Sequence, residues 1–367
     1  MKAPEDTGGS MHIRKLFDFT NGAGININTC LIFFILLLTI TLFGFIRPLI
    51  EGNKIRIMFY NTENLFDIYN DPETDDDEFL PEGIRRWNSA RYIQKLNSIY
   101  KVVVAAGEGE LPAIIGLCEV ENRRVIEDLL RLTPLNLDNN YRILHEDSND
   151  PRGIDVCLIY RDDIIQLLKY SYYFPDYLRE SGFKTRSVLY SEWIWRSDTV
   201  HLFLNHWPSR RGGVLATEKS RIAFAEMLKY LGDSISNSSG DCSKIIFAGD
   251  FNCNPSGNEM KILTSGESKS YINISGYLAE KKEGTYRYNG IWEMFDQIVV
   301  SNSLLSCKKG IYTNRENIKI IKPELLLSKD NKYPGNKPFS TYNGYRYQGG
   351  FSDHLPVILD LFYADNQ

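Results

Sequence analysis

The apolar residues of this chain fall mostly in short runs that polar segments separate. Runs of this length that are rich in β-branched and aromatic residues are typical of strands. We therefore predict strands at residues 54–60, 113–118, 141–144, 155–160, 187–195, 200–205, 243–248, 297–301 and 357–361.

Other segments carry apolar residues at a spacing of three and four, which is typical of one face of a helix. This spacing predicts helices at 87–106, 125–132 and 217–231, and a short one near 258–263. Strands and helices alternate over most of the chain, but no helix separates the strands between 155 and 205. We therefore predict an α/β fold with mixed rather than purely parallel sheets.

Residues 31–46 form one continuous apolar stretch with basic residues on both sides, Arg47 directly after it. An uncleaved signal anchor is the first interpretation, because no small-residue cleavage site follows, and a cleaved export signal is the second. A buried helix of a soluble domain is the third, and the lack of a polar face argues against it. We expect a leader at 1–50, a globular domain at 51–367, and a membrane-anchored or exported protein whose globular domain is extracytoplasmic.

Composition and charge narrow the classes of protein to be considered. The length of 367 residues and the hydrophobic content of 43% allow one large α/β domain or two small ones after the leader. The net charge of −5 argues against a broad basic face of the kind that binds duplex DNA without sequence preference.

The six cysteines show no Cys-x-x-Cys spacing, which argues against a zinc site. Cys118 and Cys157 lie in apolar runs and are interpreted as buried thiols. Cys242 and Cys253 can pair with each other if the domain faces an oxidising compartment.

A polar cluster stands at one end of six predicted strands. The clusters contain Asn61 and Glu63, Glu119 and Glu121, Asn205 and His206, Asp250 and Asn252, Asp296, and Asp353 and His354. Turn chemistry explains any one of them, but it does not explain all six. Strand ends at one edge of an α/β sheet meet at a common crevice, so we expect these side chains to converge. Carboxylate and amide oxygens are good ligands for Mg²⁺ or Mn²⁺, whereas zinc favours His and Cys. A site with such a hard divalent cation suits chemistry at a phosphorus centre.

In this order the motifs resemble those of the endonuclease/exonuclease/phosphatase family, the superfamily of DNase I-like phosphodiesterases. They are Asn61-Thr62-Glu63-Asn64, Cys118-Glu119-Val120-Glu121-Asn122, Asn205-His206-Trp207, Gly249-Asp250-Phe251-Asn252, Phe295-Asp296-Gln297-Ile298 and Ser352-Asp353-His354. The resemblance implies a four-layer sandwich, in which two mixed β-sheets pack face to face with helices outside. It also implies that 51–367 is the catalytic domain of a divalent-metal-dependent phosphoesterase.

The metal site that the resemblance implies holds Mg²⁺ or Mn²⁺. Glu119 is the expected principal ligand. Glu63, Asn61 and Asp353 are expected to complete the site, either directly or through water.

The resemblance also implies roles for five catalytic residues in an in-line displacement at phosphorus. His354 is expected to activate or orient the attacking water, with its tautomer fixed by Asp296. Asp250 and Asn252 are expected to position the nucleophile and bind phosphate oxygens. His206 is expected to stabilise or protonate the far side of the phosphate.

The substrate is less well determined than the chemistry. A nuclease acting on DNA or RNA is the first interpretation, and a phosphatase or phosphodiesterase for lipid headgroups or small phosphate esters is the alternative. A catalytically silent binding module is the third, against which the complete polar set argues. Arg152 and Arg210 are candidate substrate-binding residues, although a plain turn and a solvated surface explain them equally well. We expect a monomeric catalytic domain that contacts a membrane through the apolar segment.

Overall fold

The computed structural model describes residues 53–239, 242–266, 270–307 and 309–365. The predicted leader at 1–50, with its apolar segment at 31–46, lies outside these residues, so its membrane role stays a prediction. Within the described ranges, every helix is too short or too polar to span a lipid bilayer.

The described residues form many short strands and a few helices. The strands are β1 (Lys54–Leu65), β2 (Ile114–Val120), β3 (Tyr141–Leu144), β4 (Asp155–Arg161), β5 (Gln166–Tyr173), β6 (Val188–Trp195), β7 (Asp198–His206), β8 (Lys244–Asp250), β9 (Tyr271–Asn273), β10 (Tyr286–Tyr288), β11 (Ile291–Glu293), β12 (Asp296–Ser301), β13 (Gly310–Tyr312), β14 (Ile318–Ile320), β15 (Leu327–Lys329), β16 (Asn336–Pro338), β17 (Tyr342–Asn343), β18 (Arg346–Tyr347) and β19 (Val357–Ala364). The helices are α1 (Ser89–Gly107), α2 (Arg123–Leu132), α3 (Asp176–Glu180), α4 (Val214–Ser239), α5 (Asn258–Leu263), α6 (Gly276–Glu280) and α7 (Asn302–Ser306), with 3₁₀ turns at Asp77–Phe79, Pro134–Asn136 and Glu324–Leu326.

The longer strands form two mixed sheets. The first has the order β13-β19-β1-β2-β4-β3, with β14 also paired to β19, and the second has the order β5-β6-β7-β8-β12-β9. Each sheet contains one parallel pair, β1 with β2 and β7 with β8, and its other pairs are antiparallel. Parallel neighbours need a crossover connection, which α1 provides in the first sheet and α4 in the second.

The two sheets pack face to face around a shared apolar core. Gly116 of β2 lies so close to β7 that a Cβ atom there would meet Leu204 Cδ2 at 2.8 Å. Helices α1 and α2 cover the first sheet, where Leu96 is fully buried in the same core. Helices α4 and α5 cover the second sheet, where Phe224 packs in a cluster with Phe203. Each such side chain contributes about 1.5–3 kcal/mol by leaving water. The four-layer α/β sandwich implied by the resemblance is confirmed.

The predicted strands and helices are present, with some differences in their bounds. Strand β1 continues to Leu65, and helix α4 begins at Val214 and ends at Ser239, beyond the predicted 217–231. The sequence does not predict β5, because its side chains are exposed or half-buried on both faces and show no alternation. The segment between β12 and β19, for which the sequence predicts no strand or helix, contains the short strands β13 to β18.

Candidate active site

The parallel pair of each sheet ends at one cleft. The ends of β2, β7 and β8 bring Glu119, His206 and Asp250 to it, and the turn before β19 brings Asp353 and His354. The cleft has a volume of about 500 Å³. The polar clusters of the sequence therefore reach one cleft, at the carboxyl ends of parallel strands where α/β sheets bind their ligands. Two of their members do not line it: Glu121 accepts the backbone N–H of Asp67, and the side-chain amide of Asn205 donates to the carbonyls of Phe203 and Ala248.

The regular pairing of β1 with β2 breaks where the cleft begins. The register is regular up to Asn61, and pairing resumes only at Leu65, opposite Val120. Within this bulge Glu63 and Glu119 have left-handed φ values of 53° and 58°. Non-glycine residues seldom adopt this conformation, and where they do they are often functional. The bulge takes both carboxylates out of the side-chain alternation of the strands.

Glu119 is fixed on both its backbone and its side chain. The hydroxyl of Thr62 donates to the Glu119 carbonyl (2.9 Å), and the backbone N–H of Asn64 donates to Glu119 Oε2 (3.0 Å). Its second oxygen, Oε1, lies in the cleft 3.8 Å from Nε2 of His206. The side chain is therefore held in one orientation, with one oxygen in the lining of the cleft.

Glu63 lies behind Glu119 and is held by the loop that leads into β17. Its carboxylate accepts the backbone N–H groups of Thr341 (2.5 Å) and Tyr342 (3.3 Å). Burial, and then the neighbouring charge of Asp353, raise the pKa of Glu63 to about 7. Burial and the charge of Glu119 likewise raise the pKa of Asp353. The acidic side of the cleft therefore holds more negative charge than its surroundings neutralise.

A buried lysine stands next to these acids. Lys95 of α1 is only 1% exposed, and its ammonium donates to Thr341 Oγ1 (2.5 Å) and to the Phe351 carbonyl (2.7 Å). Burial lowers the pKa of Lys95 to about 8, although the charges of Glu63 and Asp353 oppose the shift. A buried ammonium is tolerated only when it is paired. Lys95 therefore compensates part of the acidic charge and orders the loop that binds Glu63.

His354 and Asp296 form a close pair across the ends of β19 and β12. His354 Nδ1 lies 2.7 Å from Asp296 Oδ2, and His354 Nε2 lies 3.9 Å from Asp250 Oδ2. The ring of Tyr286 packs 4.9 Å from the imidazole. Burial disfavours the imidazolium, but the surrounding carboxylates, Asp296 first, outweigh it and hold the pKa of His354 well above its ordinary value.

Asp250 is fixed by two hydrogen bonds. Its Oδ2 accepts from the side-chain amide of Asn61 (3.1 Å), and its Oδ1 accepts from the backbone N–H of Asn252 (2.9 Å). Burial raises the pKa of Asp250 to about 6; the charge of His354 opposes this shift and that of Asp296 adds to it. Asp250 therefore titrates close to neutral pH.

The carbonyl of Trp207 links the end of β7 to two other residues. It accepts from the side-chain amide of Asn252 (3.0 Å) and from Nη2 of the buried Arg186 (2.8 Å), whose Nη1 also donates to Asp150 (2.8 Å). The Trp207 ring is fully buried and packs against Phe251. Trp207 therefore fills the loop behind His206, and its ring is not available to stack on a substrate.

His206 is buried at the back of the cleft. Its Nε2 lies 3.8 Å from both Glu119 Oε1 and Asp250 Oδ2. Burial, and then the positive charges of Arg186 and Arg152, lower the pKa of His206 well below its ordinary value. The ring is therefore a neutral imidazole near pH 7, and its Nδ1 has no hydrogen-bond partner among the described residues.

Arg152 and Arg210 both line the cleft, but they are held differently. The side chain of Arg152 is 41% exposed and makes a long contact with Asp150 (3.4 Å). Arg210 donates to Glu293 (2.9 Å) and to the Asn252 carbonyl (2.9 Å). Arg152 therefore has the more available guanidinium, whereas that of Arg210 is largely occupied in fixing the loop after β8.

The predicted site residues separate into two sets. The residues that line the cleft are Glu119, Arg152, His206, Arg210, Asp250, Asn252, Asp353 and His354. Asn61, Glu63 and Asp296 stand behind this set and contact it by hydrogen bonds or charge, as described above. Their individual catalytic and metal-binding roles stay predictions.

Three residues of the site are missed by sequence reasoning. Lys95 carries a signal, because it stands three residues after Tyr92 and four before Ile99, on the buried face of α1 where a lysine is out of place. Arg186 lies in a loop, and Tyr286 begins a short hairpin strand, so neither has a periodic pattern that would identify it.

The acidic side of the cleft fits a hard divalent cation. Glu119 and Asp353 offer carboxylate oxygens only. Burial, and then the charge of Glu119, raise the pKa of Asp353, and a cation would favour the ionised form. Asp250, Asp296 and His354 also have ligand atoms within 4.8 Å of one another. Nδ1 of His354 already contacts Asp296, however, so the set of Asp250, Asp296 and His354 is better suited to proton transfer than to metal binding.

Sequence comparison gives one match that extends over most of the chain. A family model described as the endonuclease/exonuclease/phosphatase family matches residues 56–362. No curated protein matches the chain significantly.

Solved structures share the fold at low sequence identity. A humanised TDP2 from D. rerio is 12% identical with a TM-score of 0.54, covering 84% of this chain and 99% of that one. A mannosyl-6-phosphatase from Bacteroides thetaiotaomicron is 14% identical with a TM-score of 0.52, covering 84% of this chain and 100% of that one. A further family protein from the same bacterium is 13% identical with a TM-score of 0.51, covering 85% and 95%. At these identities the likeness establishes the fold alone.

Proposed function

This chain belongs to the endonuclease/exonuclease/phosphatase family and is a divalent-metal-dependent phosphoester hydrolase, and we propose that it is a nuclease acting on single-stranded nucleic acid. The observation that carries the proposal is the lining of the cleft. Besides the acids it contains Arg152, Arg211 and Tyr288, and Tyr288 is 59% exposed. Arginines that neutralise phosphates beside an exposed aromatic ring are typical of proteins that bind single strands.

Asp250 and His354 have different pKa shifts, and we assign them different roles in the hydrolysis. Hydrolysis needs a proton acceptor for the attacking water and positive charge near the phosphate. Asp250, with a pKa raised to about 6, is ionised at neutral pH and basic enough to accept a proton. His354, whose pKa is held well above its ordinary value, stays an imidazolium and donates from Nε2 to a phosphate oxygen. These two pKa shifts favour Asp250 as the base, whereas the sequence alone favours His354.

The remaining polar residues hold the cation, bind the phosphate and orient the water. Glu119, with Glu63 and Asp353 beside it, holds the cation, for which we propose Mg²⁺, with Mn²⁺ as the alternative that suits the same oxygens. A cation held there supplies charge neutralisation at the phosphate. His206, as a neutral imidazole, donates a hydrogen bond to the far side of the phosphate, and Asn252 orients the water through its contact with Asp250.

An activity panel tests the substrate class. It contains plasmid DNA, a single-stranded oligonucleotide, RNA, a sphingomyelin-type lipid and a sugar phosphate, each with Mg²⁺ and with Mn²⁺. We expect the oligonucleotide to be hydrolysed fastest, Glu119→Gln to lose the activity and His354→Ala to lower it strongly. Hydrolysis of the lipid or the sugar phosphate alone would reject the nuclease, and unchanged metal-dependent activity in Glu119→Gln would reject the site.

The pH profile tests the division between Asp250 and His354. If Asp250 is the base, kcat/KM rises with pH through an apparent pKa near 6, and His354→Ala lowers the rate but keeps this rise. Loss of the rise in His354→Ala would make His354 the base instead.

A phosphatase for sugar phosphates is the second candidate. The cleft volume of about 500 Å³ is in the range of small-ligand sites, and the net charge of −5 does not favour a polyanion. A structure of similar fold is a mannosyl-6-phosphatase. Salt dependence separates the two candidates, because KM for a nucleic acid rises steeply with salt concentration and KM for a sugar phosphate rises only weakly.

We also propose that the protein is membrane-anchored or exported, with the catalytic domain outside the cytoplasm. The support is the apolar stretch at 31–46 and its basic flanks. Membrane fractionation of the chain with and without residues 1–50 tests this proposal. Recovery of both forms in the cytoplasmic fraction would reject it.

A further inference from the structure

We propose that Cys242 and Cys307 form a disulfide that fastens β8 to β12 at the ends of these strands remote from the cleft. Their Sγ atoms lie 3.6 Å apart. Cys242 precedes β8, and Cys307 follows helix α7, which begins directly after β12. Closing that separation to the S–S bond length of about 2.05 Å brings the sulfur atoms about 1.5 Å closer together.

The backbone around the two thiols is held together without the bond. The carbonyl of Ser243 accepts hydrogen bonds from the hydroxyls of Ser301 and Ser303, and the Ser301 hydroxyl also accepts the backbone N–H of Ile245 (3.0 Å). The N–H of Cys307 donates to the Ser303 carbonyl (2.9 Å). These contacts fix the residues before β8 against the turn after β12, so the two sulfur atoms stay near each other.

The alternative partner considered from the sequence, Cys253, lies too far away. Strand β8 (Lys244–Asp250) separates Cys242 from Cys253, and an extended strand of that length spans about 20 Å. Disulfides need Cα atoms within about 7 Å of each other. The pairing of Cys242 with Cys253 is therefore wrong, and Cys307 takes its place.

The pair also differs from the other described cysteines in its exposure. Cys242 is exposed and Cys307 half-buried, whereas Cys118, Cys157 and Cys253 are buried and burial raises the pKa of each of them. Thiol–disulfide exchange needs an accessible thiolate. An oxidant therefore reaches Cys242 and Cys307 before the other three.

The oxidation proceeds by exchange with a donor disulfide, either a small-molecule disulfide or an oxidised dithiol oxidoreductase. The thiolate of one cysteine attacks a donor sulfur, which forms a mixed disulfide and releases one donor thiolate. The second thiolate attacks the protein sulfur of the mixed disulfide and releases the other donor thiolate. The two protein thiols lose two protons and two electrons, and the donor disulfide is reduced to two thiols.

The bond would close a long loop that carries much of the catalytic machinery. Cys242 and Cys307 are 65 positions apart, and Asp250, Asn252 and Asp296 lie between them. A cross-link of this span restricts the unfolded chain strongly. It also holds together the two strands that carry Asp250 and Asp296, at the end where it cannot interfere with the substrate.

Peptide mass spectrometry after differential alkylation tests the bond directly. The full chain is equilibrated with oxidised and reduced glutathione at an oxidising poise and alkylated. One half is then digested without reduction to detect linked peptides, and the other half is unfolded, reduced and alkylated with a second reagent. We expect a Cys242–Cys307 linked peptide two hydrogens lighter than the sum of its parts, with Cys118, Cys157 and Cys253 alkylated only after unfolding. Alkylation of Cys242 and Cys307 as thiols in the first step, or a link from either of them to another cysteine, would overturn the proposal.

Thermal unfolding with and without reductant gives a second readout. We expect the oxidised protein to melt about 5 °C above the reduced one. Cys242→Ser and Cys307→Ser should each abolish this difference, whereas Cys253→Ser should keep it. A reductant effect that persists in Cys307→Ser would overturn the proposal. If a serine variant fails to fold, alkylation of the unmodified chain still shows whether the Cys242–Cys307 bond forms.

Discussion

Two cavities of nearly equal volume lie at opposite ends of the first sheet. The active cleft has about 500 Å³, and a second cavity of about 520 Å³ lies where β1 and β2 begin. In the second cavity Arg56 is only 5% exposed, and its guanidinium donates to Asp360 (2.6 and 2.8 Å), the Ala106 carbonyl (2.6 Å) and Glu108 (2.9 Å). Every donor group of that arginine has an acceptor. In the active cleft, by contrast, carboxylates outnumber their cationic partners.

The pKa shifts of the acids have opposite directions in the two cavities. Burial opposes ionisation of Glu108, but hydrogen bonds from Lys319 and Arg56 outweigh it and lower the pKa of Glu108. At the active cleft, burial raises the pKa of Asp250, which lines it, and of Glu63, which stands behind it. Volume does not distinguish a functional cavity from a structural one, whereas uncompensated charge does.

The largest expected effect is that of Asp296→Asn in the active cleft. The amide cannot hold His354 in the same protonation state, so kcat should fall roughly 10³-fold. The melting temperature should fall less than in the Asp360→Asn variant below, because His354 can lose its proton whereas Arg56 cannot. Steady-state kinetics and thermal unfolding measure the two effects. A fall in kcat of less than about 10-fold would show that the Asp296–His354 pair is not part of the catalytic chemistry.

The matched change in the second cavity is Asp360→Asn. It removes the main charge partner of the buried Arg56, and breaking such a pair costs about 3–5 kcal/mol. We expect a loss of about 2–4 kcal/mol in the free energy of unfolding, because Glu108 and the Ala106 carbonyl remain as acceptors. Urea denaturation measures the loss, and kcat of the folded enzyme should be unchanged. A reduced kcat in the folded variant would mean that the two cavities are coupled.

A third prediction concerns the stability of the metal-free protein against pH. The pKa of Glu63 is about 7 in the folded protein and about 4.5 in the unfolded chain, so the folded state binds more protons between these values. Stability should therefore fall as pH rises from 5 to 8, by roughly 2 kcal/mol. The raised pKa of His354 acts in the same direction, because its contribution is present at low pH and lost as pH rises.

Mg²⁺ is the control for that prediction. A cation that relieves the crowded carboxylates should raise the melting temperature more at pH 8 than at pH 5, and Glu119→Gln should weaken the response. Glu108, the partner of Arg56 beside the second cavity, has a lowered pKa. Glu108→Gln should therefore lose stability only above about pH 4.5. An equal effect of Mg²⁺ at both pH values would contradict the prediction.

The smallest expected effect is that of Arg152→Ala. Its exposed guanidinium should contribute about 1 kcal/mol to the free energy of phosphate binding. Without it, KM should rise about 5-fold while kcat changes little. Arg161 lines the second cavity, and Arg161→Ala is the matched control that should leave KM unchanged. A larger fall in kcat than rise in KM for Arg152→Ala would place Arg152 in the chemical step instead of in substrate binding.

The fold and much of the cleft are readable from the sequence because buried strands are apolar and their ends are not. The pairing of Asp296 with His354 is expected from motifs far apart in the chain, and the 2.7 Å contact is in agreement with it. Strand β5 is not readable in this way, because its exposed side chains carry no alternation.

The charges behind the cleft are harder to predict, since their positions depend on tertiary contacts. Arg186 stands in a loop whose local sequence gives no reason to bury a guanidinium, and only the Trp207 carbonyl and Asp150 explain its place. The partner of Cys242 is likewise set by the pairing of β8 with β12, which no spacing in the sequence reveals.

The bulge at the ends of β1 and β2 affects how readily such an enzyme can be modified by evolution or by design. Glu63 and Glu119 stand outside the regular alternation of their strands, so their side chains do not belong to the packed faces of the sheet. If the proposed metal-binding role of Glu63 holds, we expect a different residue there to alter the preference for one cation over another without repacking the core. Selection can act on such a position separately from selection for a stable fold.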